Sequence, residues 1–122
     1  MYEDIDILDI DSIYIDNNLI DIRERYEYIL GNINGSINIP YNYLYINPSD
    51  YLDMNKTYYI YCGSGSRSRK LCTYLNSLGY HTIDLIGGYS RYRNRWWIKY
   101  WLQIKTDIFM FESISFLLYL QV

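Results

Sequence analysis

The chain has 122 residues, half of them apolar and a fifth charged, which fits one compact globular domain and excludes a disordered protein or two full-sized domains. Its two cysteines are too few for the disulfide framework of a small secreted protein. The net charge of −3 argues against nucleic-acid binding, and the acidic N-terminus lacks the basic and then apolar pattern of a secretory signal, so we expect a cytoplasmic protein.

Strand-like and helix-like segments alternate in the first half of the chain. Residues 19–22 predict a buried strand, residues 24–30 a short helix closed by Gly31, and residues 36–39 a short strand stopped by Pro40. Residues 41–53 are polar and aromatic, with a turn or the start of a short helix at Pro48 and Ser49.

The second half continues the alternation. Residues 58–61 predict a strand of β-favouring residues, residues 67–78 a helix with its apolar positions at helical spacing, and residues 80–86 a further strand. Strands that alternate with helices favour a mainly parallel sheet covered on both faces, which is an α/β fold.

The chemically informative segment begins at Cys62, directly after the predicted strand 58–61. Ligands bind at the carboxyl ends of the strands in open parallel sheets. The loop after Cys62 consists of small residues, and Gly63 and Gly65 allow its backbone to curl tightly. Inward-turned N–H groups and the start of the following helix would then form an anion site that favours a thiolate, or a persulfide anion, at Cys62.

Three ordered segments of the chain resemble the signatures of rhodanese domains. The first runs from Leu19-Ile-Asp-Ile-Arg-Glu through Glu27-Tyr28 to Gly31-Asn-Ile-Asn-Gly-Ser-Ile-Asn-Ile-Pro40. The second is Cys62-Gly-Ser-Gly-Ser-Arg67-Ser68, and the third is Leu78-Gly-Tyr80 followed by Leu85-Ile-Gly-Gly-Tyr89. Three signatures in the right order are far more specific than one motif.

This resemblance implies a five-stranded, mostly parallel sheet with helices on both faces. It also implies a thiosulfate sulfurtransferase, in which Cys62 accepts a sulfur from an anionic donor such as thiosulfate and passes it to a thiol or cyanide. The implied substrate-binding residues are those of the loop, and the implied supporting pair is Asp21 with Arg23. The loop residues are Gly63, Ser64, Gly65, Ser66, Arg67 and Ser68. No metal or organic cofactor is implied, because neither ligand spacing nor a nucleotide fingerprint is present.

Two alternatives to the enzyme remain. A non-catalytic rhodanese-like module would carry persulfide or bind a partner without turnover. Cysteine phosphatases and arsenate reductases of related architecture have five residues between the cysteine and the arginine of this loop. Only four residues separate Cys62 from Arg67. The shorter loop makes a tighter cradle, so these two activities rank third.

Several residues have a structural interpretation. Cys72 lies on the apolar stripe of its predicted helix, so core packing is expected for it rather than a resolving role. Asp21 and Arg23 are expected to form an ion pair or hydrogen-bond network under the loop.

The resemblance fades after Tyr89. We expect the catalytic domain to span residues 1–100 and residues 101–122 to form an aromatic and apolar extension of unknown role. The apolar stretch 108–122 contains Glu112 and is too short for a convincing membrane span, so no firm membrane association is expected. A homodimer through the extension is one expectation for its exposed apolar surface.

Overall fold

The computed structural model describes residues 1–13 and 18–120. Parts of both expected domains, residues 14–17 and 121–122, therefore lie outside the described residues. The chain forms two compact units, residues 1–92 and residues 93–122.

In its described residues, the first unit contains a five-stranded sheet in the order β1-β5-β4-β2-β3, with every neighbouring pair parallel. The predicted α/β architecture is therefore confirmed. The strands are β1 (Asp4–Asp6), β2 (Leu19–Asp21), β3 (Ile37–Asn38), β4 (Thr57–Tyr61) and β5 (His81–Ile86). The helices are α1 (Arg25–Leu30), α2 (Tyr41–Ile46), α3 (Ser66–Ser77) and α4 (Gly88–Arg93), with 3₁₀ turns at Ile7–Ser12 and Pro48–Asp50.

Two apolar cores lie on opposite faces of the sheet, because successive strand residues point to opposite sides. Ile60 belongs to the core that packs against α2 and α3, and the next residue, Tyr61, belongs to the core that contains Ile7 and Ile10. β4 is buried on both faces, as expected of a central strand in a parallel sheet.

The second unit is dominated by α5 (Arg95–Leu120), a 26-residue helix that has no buried residues. Most of its large apolar side chains are exposed, and examples are Trp97, Trp101, Phe109 and Phe116. No helix among residues 1–13 and 18–120 combines the length and the apolar character needed to cross a membrane.

Candidate active site

Cys62 follows the last residue of β4 and so lies at the carboxyl edge of the sheet. The start of α4 holds it there: the Tyr89 amide donates to the Cys62 carbonyl at 2.7 Å, and the Ser90 amide donates to the Gly63 carbonyl at 3.0 Å. The Ser90 hydroxyl donates to the same Gly63 carbonyl at 3.0 Å. The base of the loop is therefore anchored to an element that follows β5.

The Cys62 sulfur receives two backbone hydrogen bonds from the start of α3. The Gly65 amide donates to Sγ at 3.1 Å and the Ser68 amide donates to it at 3.4 Å. The thiol in turn donates to Ser68 Oγ at 3.5 Å. Because these amides belong to the first turn of a 12-residue helix, its positive end also faces the sulfur, and the arrangement stabilises negative charge there.

Two glycines permit this close packing. Gly65 has φ +105°, and a Cβ on it would lie 3.3 Å from the Gly87 nitrogen. Gly88 has φ +64°, and a Cβ on it would lie 2.6 Å from the carbonyl oxygens of both Cys62 and Gly63. A side chain at Gly88 would therefore push α4 away from the loop that holds the sulfur.

The outer side of the loop carries polar groups. Ser64 and Ser66 are exposed, with their hydroxyl oxygens 3.5 Å apart. The Arg67 side chain is 42% exposed, and its Nη1 lies 3.9 Å from the Glu27 carboxylate. Its Nη2 lies 3.3 Å from the point where a Gly63 Cβ would be, so its positive charge lies beside the loop. Cys62 itself has no exposed surface.

Asp21 and Arg23 form a buried ion pair at the end of β2. Arg23 Nη2 lies 2.8 Å from Asp21 Oδ2 and donates to the Gly31 carbonyl at 2.6 Å. The guanidinium also lies 4.2 Å from the centre of the Tyr89 ring. Burial acts to lower the Arg23 pKa, but the hydrogen bonds and charge of Asp21 outweigh it and raise the pKa overall. The pair thus ties β2 to α4 beneath the loop.

Cys72 is fully buried in the core of α3, where packing was expected. Burial raises the pKa of its thiol to about 12. Both cysteines are free thiols.

Asp84 lies outside the sequence motifs that mark the candidate site. It lies in the middle of β5, is 1% exposed, and is next to Ser68 and Tyr2. The signal was present in the sequence, because Asp84 is the one charged residue among the mostly apolar residues 82–86 of the predicted strand 80–86.

The fold and the site together define an α/β domain with a parallel sheet and a cysteine in the loop between a strand and a helix. Backbone amides at the start of that helix donate to the cysteine sulfur. A model of the rhodanese-like domain matches residues 6–95, and the chain belongs to this family.

The relatives support the same family. "Putative sulfurtransferase YtwF" of Bacillus subtilis (strain 168) is 36% identical over 70 residues, which cover 57% of this chain and 67% of YtwF. "Adenylyltransferase and sulfurtransferase uba4" of Ogataea parapolymorpha is 36% identical over 77 residues, which cover 61% of this chain. That match spans only 19% of the length of uba4. The crystal structure of SSP1007 from Staphylococcus saprophyticus superposes with a TM-score of 0.63 at 30% identity, covering 70% of this chain and 88% of SSP1007.

Proposed function

We propose that this protein is a thiosulfate sulfurtransferase that moves a sulfane sulfur to a thiol or cyanide through a persulfide on Cys62. The observation that supports this most is the pair of amides, of Gly65 and Ser68, that donate to Sγ. These donors are fixed before any substrate arrives, so they stabilise an anionic sulfur without reorganisation.

The first half-reaction would load the cysteine. The Cys62 thiolate attacks the outer sulfur of thiosulfate, a new S–S bond forms, and the old S–S bond breaks with its electron pair leaving on sulfite. Nucleophilic catalysis of this kind divides one transfer into two easier steps. Arg67, with its half-exposed guanidinium beside the loop, would attract the dianionic donor.

The second half-reaction would transfer the sulfur from the Cys62 persulfide to an acceptor. A thiolate or cyanide attacks the outer sulfur of the Cys62 persulfide, the persulfide S–S bond breaks, and its electrons return to Cys62 as the thiolate. The products are a persulfide of the acceptor or thiocyanate. Both half-reactions balance without an oxidant or reductant, and they would operate in a compartment where the thiols stay reduced, such as the cytoplasm.

Intact-protein mass spectrometry after incubation with thiosulfate tests the proposal. We expect the wild type to gain one sulfur and the Cys62→Ser variant to gain none. Cys72→Ser is the matched control, because burial raises the pKa of the Cys72 thiol to about 12, and this variant should still gain the sulfur. A wild type that gains no sulfur, or one that turns over an aryl phosphate in a Cys62-dependent manner, would contradict the proposal.

A persulfide carrier without turnover is the second candidate. The complete burial of the Cys62 side chain limits the access of small donors and acceptors alike, and it fits a carrier that exchanges its sulfur with a bound partner. Release of thiocyanate from cyanide by catalytic amounts of protein would decide for the enzyme, whereas a single stoichiometric release would decide for the carrier.

A further inference from the structure

The proposed sulfur chemistry makes no use of Asp84, the buried carboxyl group in the middle of β5. Its Oδ2 atom accepts a hydrogen bond from the Tyr2 hydroxyl at 2.5 Å. Its Oδ1 atom is buried and has no hydrogen-bond partner among the described residues. A buried carboxylate oxygen without a donor is costly, whereas a protonated one has a hydrogen to donate.

Ser68 links this carboxyl group to the reactive sulfur. Its side chain influences the pKa of the Asp84 carboxyl group as a hydrogen-bonding neighbour, and its hydroxyl oxygen lies 3.5 Å from Cys62 Sγ. With a thiol at Cys62, the hydroxyl proton is directed to the Gly65 carbonyl at 3.2 Å. A hydroxyl group has one proton and two lone pairs, so Ser68 can accept from one neighbour while it donates to another.

We propose that Asp84 is a positioning residue that works as a neutral acid: its Oδ1–H donates to Ser68 Oγ, and Ser68 then donates its hydroxyl to the anionic sulfur of Cys62. The inference rests on the proposed function and adds a third donor to the two backbone amides. The Tyr2 bond to Oδ2 fits this arrangement, because it leaves Oδ1 as the oxygen that bears the proton.

The charges around Asp84 are compatible with a neutral acid. Burial is the largest influence and raises its pKa, and the neighbouring Asp4 of β1 raises it further. The Ser68 side chain, the Tyr2 hydroxyl and the positive charge of Arg69 act to lower the Asp84 pKa without cancelling the shift. Cys72 also faces the group from α3, and its high pKa of about 12 keeps it uncharged.

The proposed role of Asp84 predicts how the loading of Cys62 changes with pH. An acid whose pKa is raised keeps its proton above the usual range for aspartate and loses it as the pH rises further. Once Asp84 is ionised, the Oδ1–H donor is gone and a second negative charge opposes both the sulfur anion and thiosulfate. Loading of Cys62 should therefore fall on the alkaline side.

The test is the pH profile of sulfur loading by thiosulfate, summarised as the rate at the highest pH at which the fold is kept relative to the rate at neutral pH. In the wild type we expect this ratio to be about tenfold lower than in Asp84→Asn, whose amide cannot ionise but still has an N–H to donate. Asp84→Leu lacks the donor and should load about tenfold more slowly than Asp84→Asn at neutral pH. Asp50→Asn, an exposed carboxylate in a 3₁₀ turn, is the control and should keep the wild-type ratio.

Two further measurements separate this proposal from a purely structural role. Tyr2→Phe removes a hydrogen bond that lowers the Asp84 pKa, so the alkaline fall should move to higher pH. Infrared spectra should show the C=O stretch of a protonated, buried carboxylic acid in the wild type and not in Asp84→Asn.

The outcomes are distinguishable from failure of the sulfurtransferase itself. If the wild type gains no sulfur, the proposed function fails, and the infrared band alone decides whether Asp84 is a neutral acid. If that band is absent, or if the wild type and Asp84→Asn give the same ratio, the role of Asp84 is overturned whatever the activity. Circular dichroism of each variant checks that the fold is kept.

Discussion

Gly88 has no side chain, and this absence allows α4 to approach the cysteine loop closely. We expect Gly88→Ala to lower the rate of sulfur loading strongly and to cost about 1–3 kcal/mol of the free energy of unfolding. The reason is that the new Cβ would lie 2.6 Å from two carbonyl oxygens at a backbone φ of +64°. Urea unfolding and the loading rate measure the two effects.

Gly35→Ala is the matched control for this substitution. Gly35 also has a positive φ, +86°, but a Cβ on it would meet nothing within 4 Å. It should therefore cost stability by backbone strain alone, of the order of 1 kcal/mol, and leave loading unchanged. Equal losses of loading in both variants would show that contact with the loop is not the cause.

At the scale of elements, the buried pair Asp21–Arg23 joins the end of β2 to the Gly31 carbonyl and the Tyr89 ring. Arg23→Met should cost about 3–5 kcal/mol of the free energy of unfolding, because it leaves a buried carboxylate without its partner. Arg91→Met is the comparison: its pair with Asp6, at 2.9 Å, is about 40% exposed on both sides, and its loss should cost less than about 1 kcal/mol. The midpoints of urea unfolding measure both, and similar costs would contradict a structural role for the buried pair.

The elements that the sequence predicts well are those with a local signal. β4 and α3 are recognisable because a run of β-favouring residues and an apolar helical stripe identify them. α2 was not predicted, since its six residues are mostly Tyr and Asn and its helix depends on distant contacts. Leu44 is fully buried in the core, and the Tyr41 amide donates to the Ile22 carbonyl at 3.0 Å.

The candidate site also divides into residues with a local sequence signal and residues that distant contacts bring together. The loop from Cys62 to Ser68 is contiguous, so its small residues and its position after a strand predict an anion cradle. Asp84 comes close to that cradle only through the pairing of β5 with its two neighbours: β4 places it opposite Ile60, and β1 brings Tyr2 to its carboxyl group. No local pattern specifies that pairing. The roles assigned to Cys62, its loop and Asp21–Arg23 stay predictions until the variants are measured.

At the scale of the whole molecule, every residue of the candidate site and both apolar cores lie within residues 1–92. A chain that ends at Tyr92 should therefore fold and gain a sulfur from thiosulfate as the full chain does. Circular dichroism and intact mass measure these properties. A truncated chain that folds but gains no sulfur would show that the second unit takes part in the chemistry.

The same pair of proteins tests the expected homodimer. α5 exposes many large apolar side chains, and large exposed apolar patches mark sites of association. Sedimentation should give a dimer for the full chain and a monomer for the chain that ends at Tyr92. A monomeric full chain would contradict association of this helix with a second copy.

The buried state of Cys72 has a consequence for survival under oxidative stress. A thiol with a pKa of about 12 is scarcely ionised in a cell, and only the ionised form attacks a sulfenic acid. If peroxide converts Cys62 to its sulfenic acid, Cys72 is therefore unable to rescue it as a disulfide. Its protection from irreversible sulfinic acid would then depend on glutathione or another small thiol reaching the loop first.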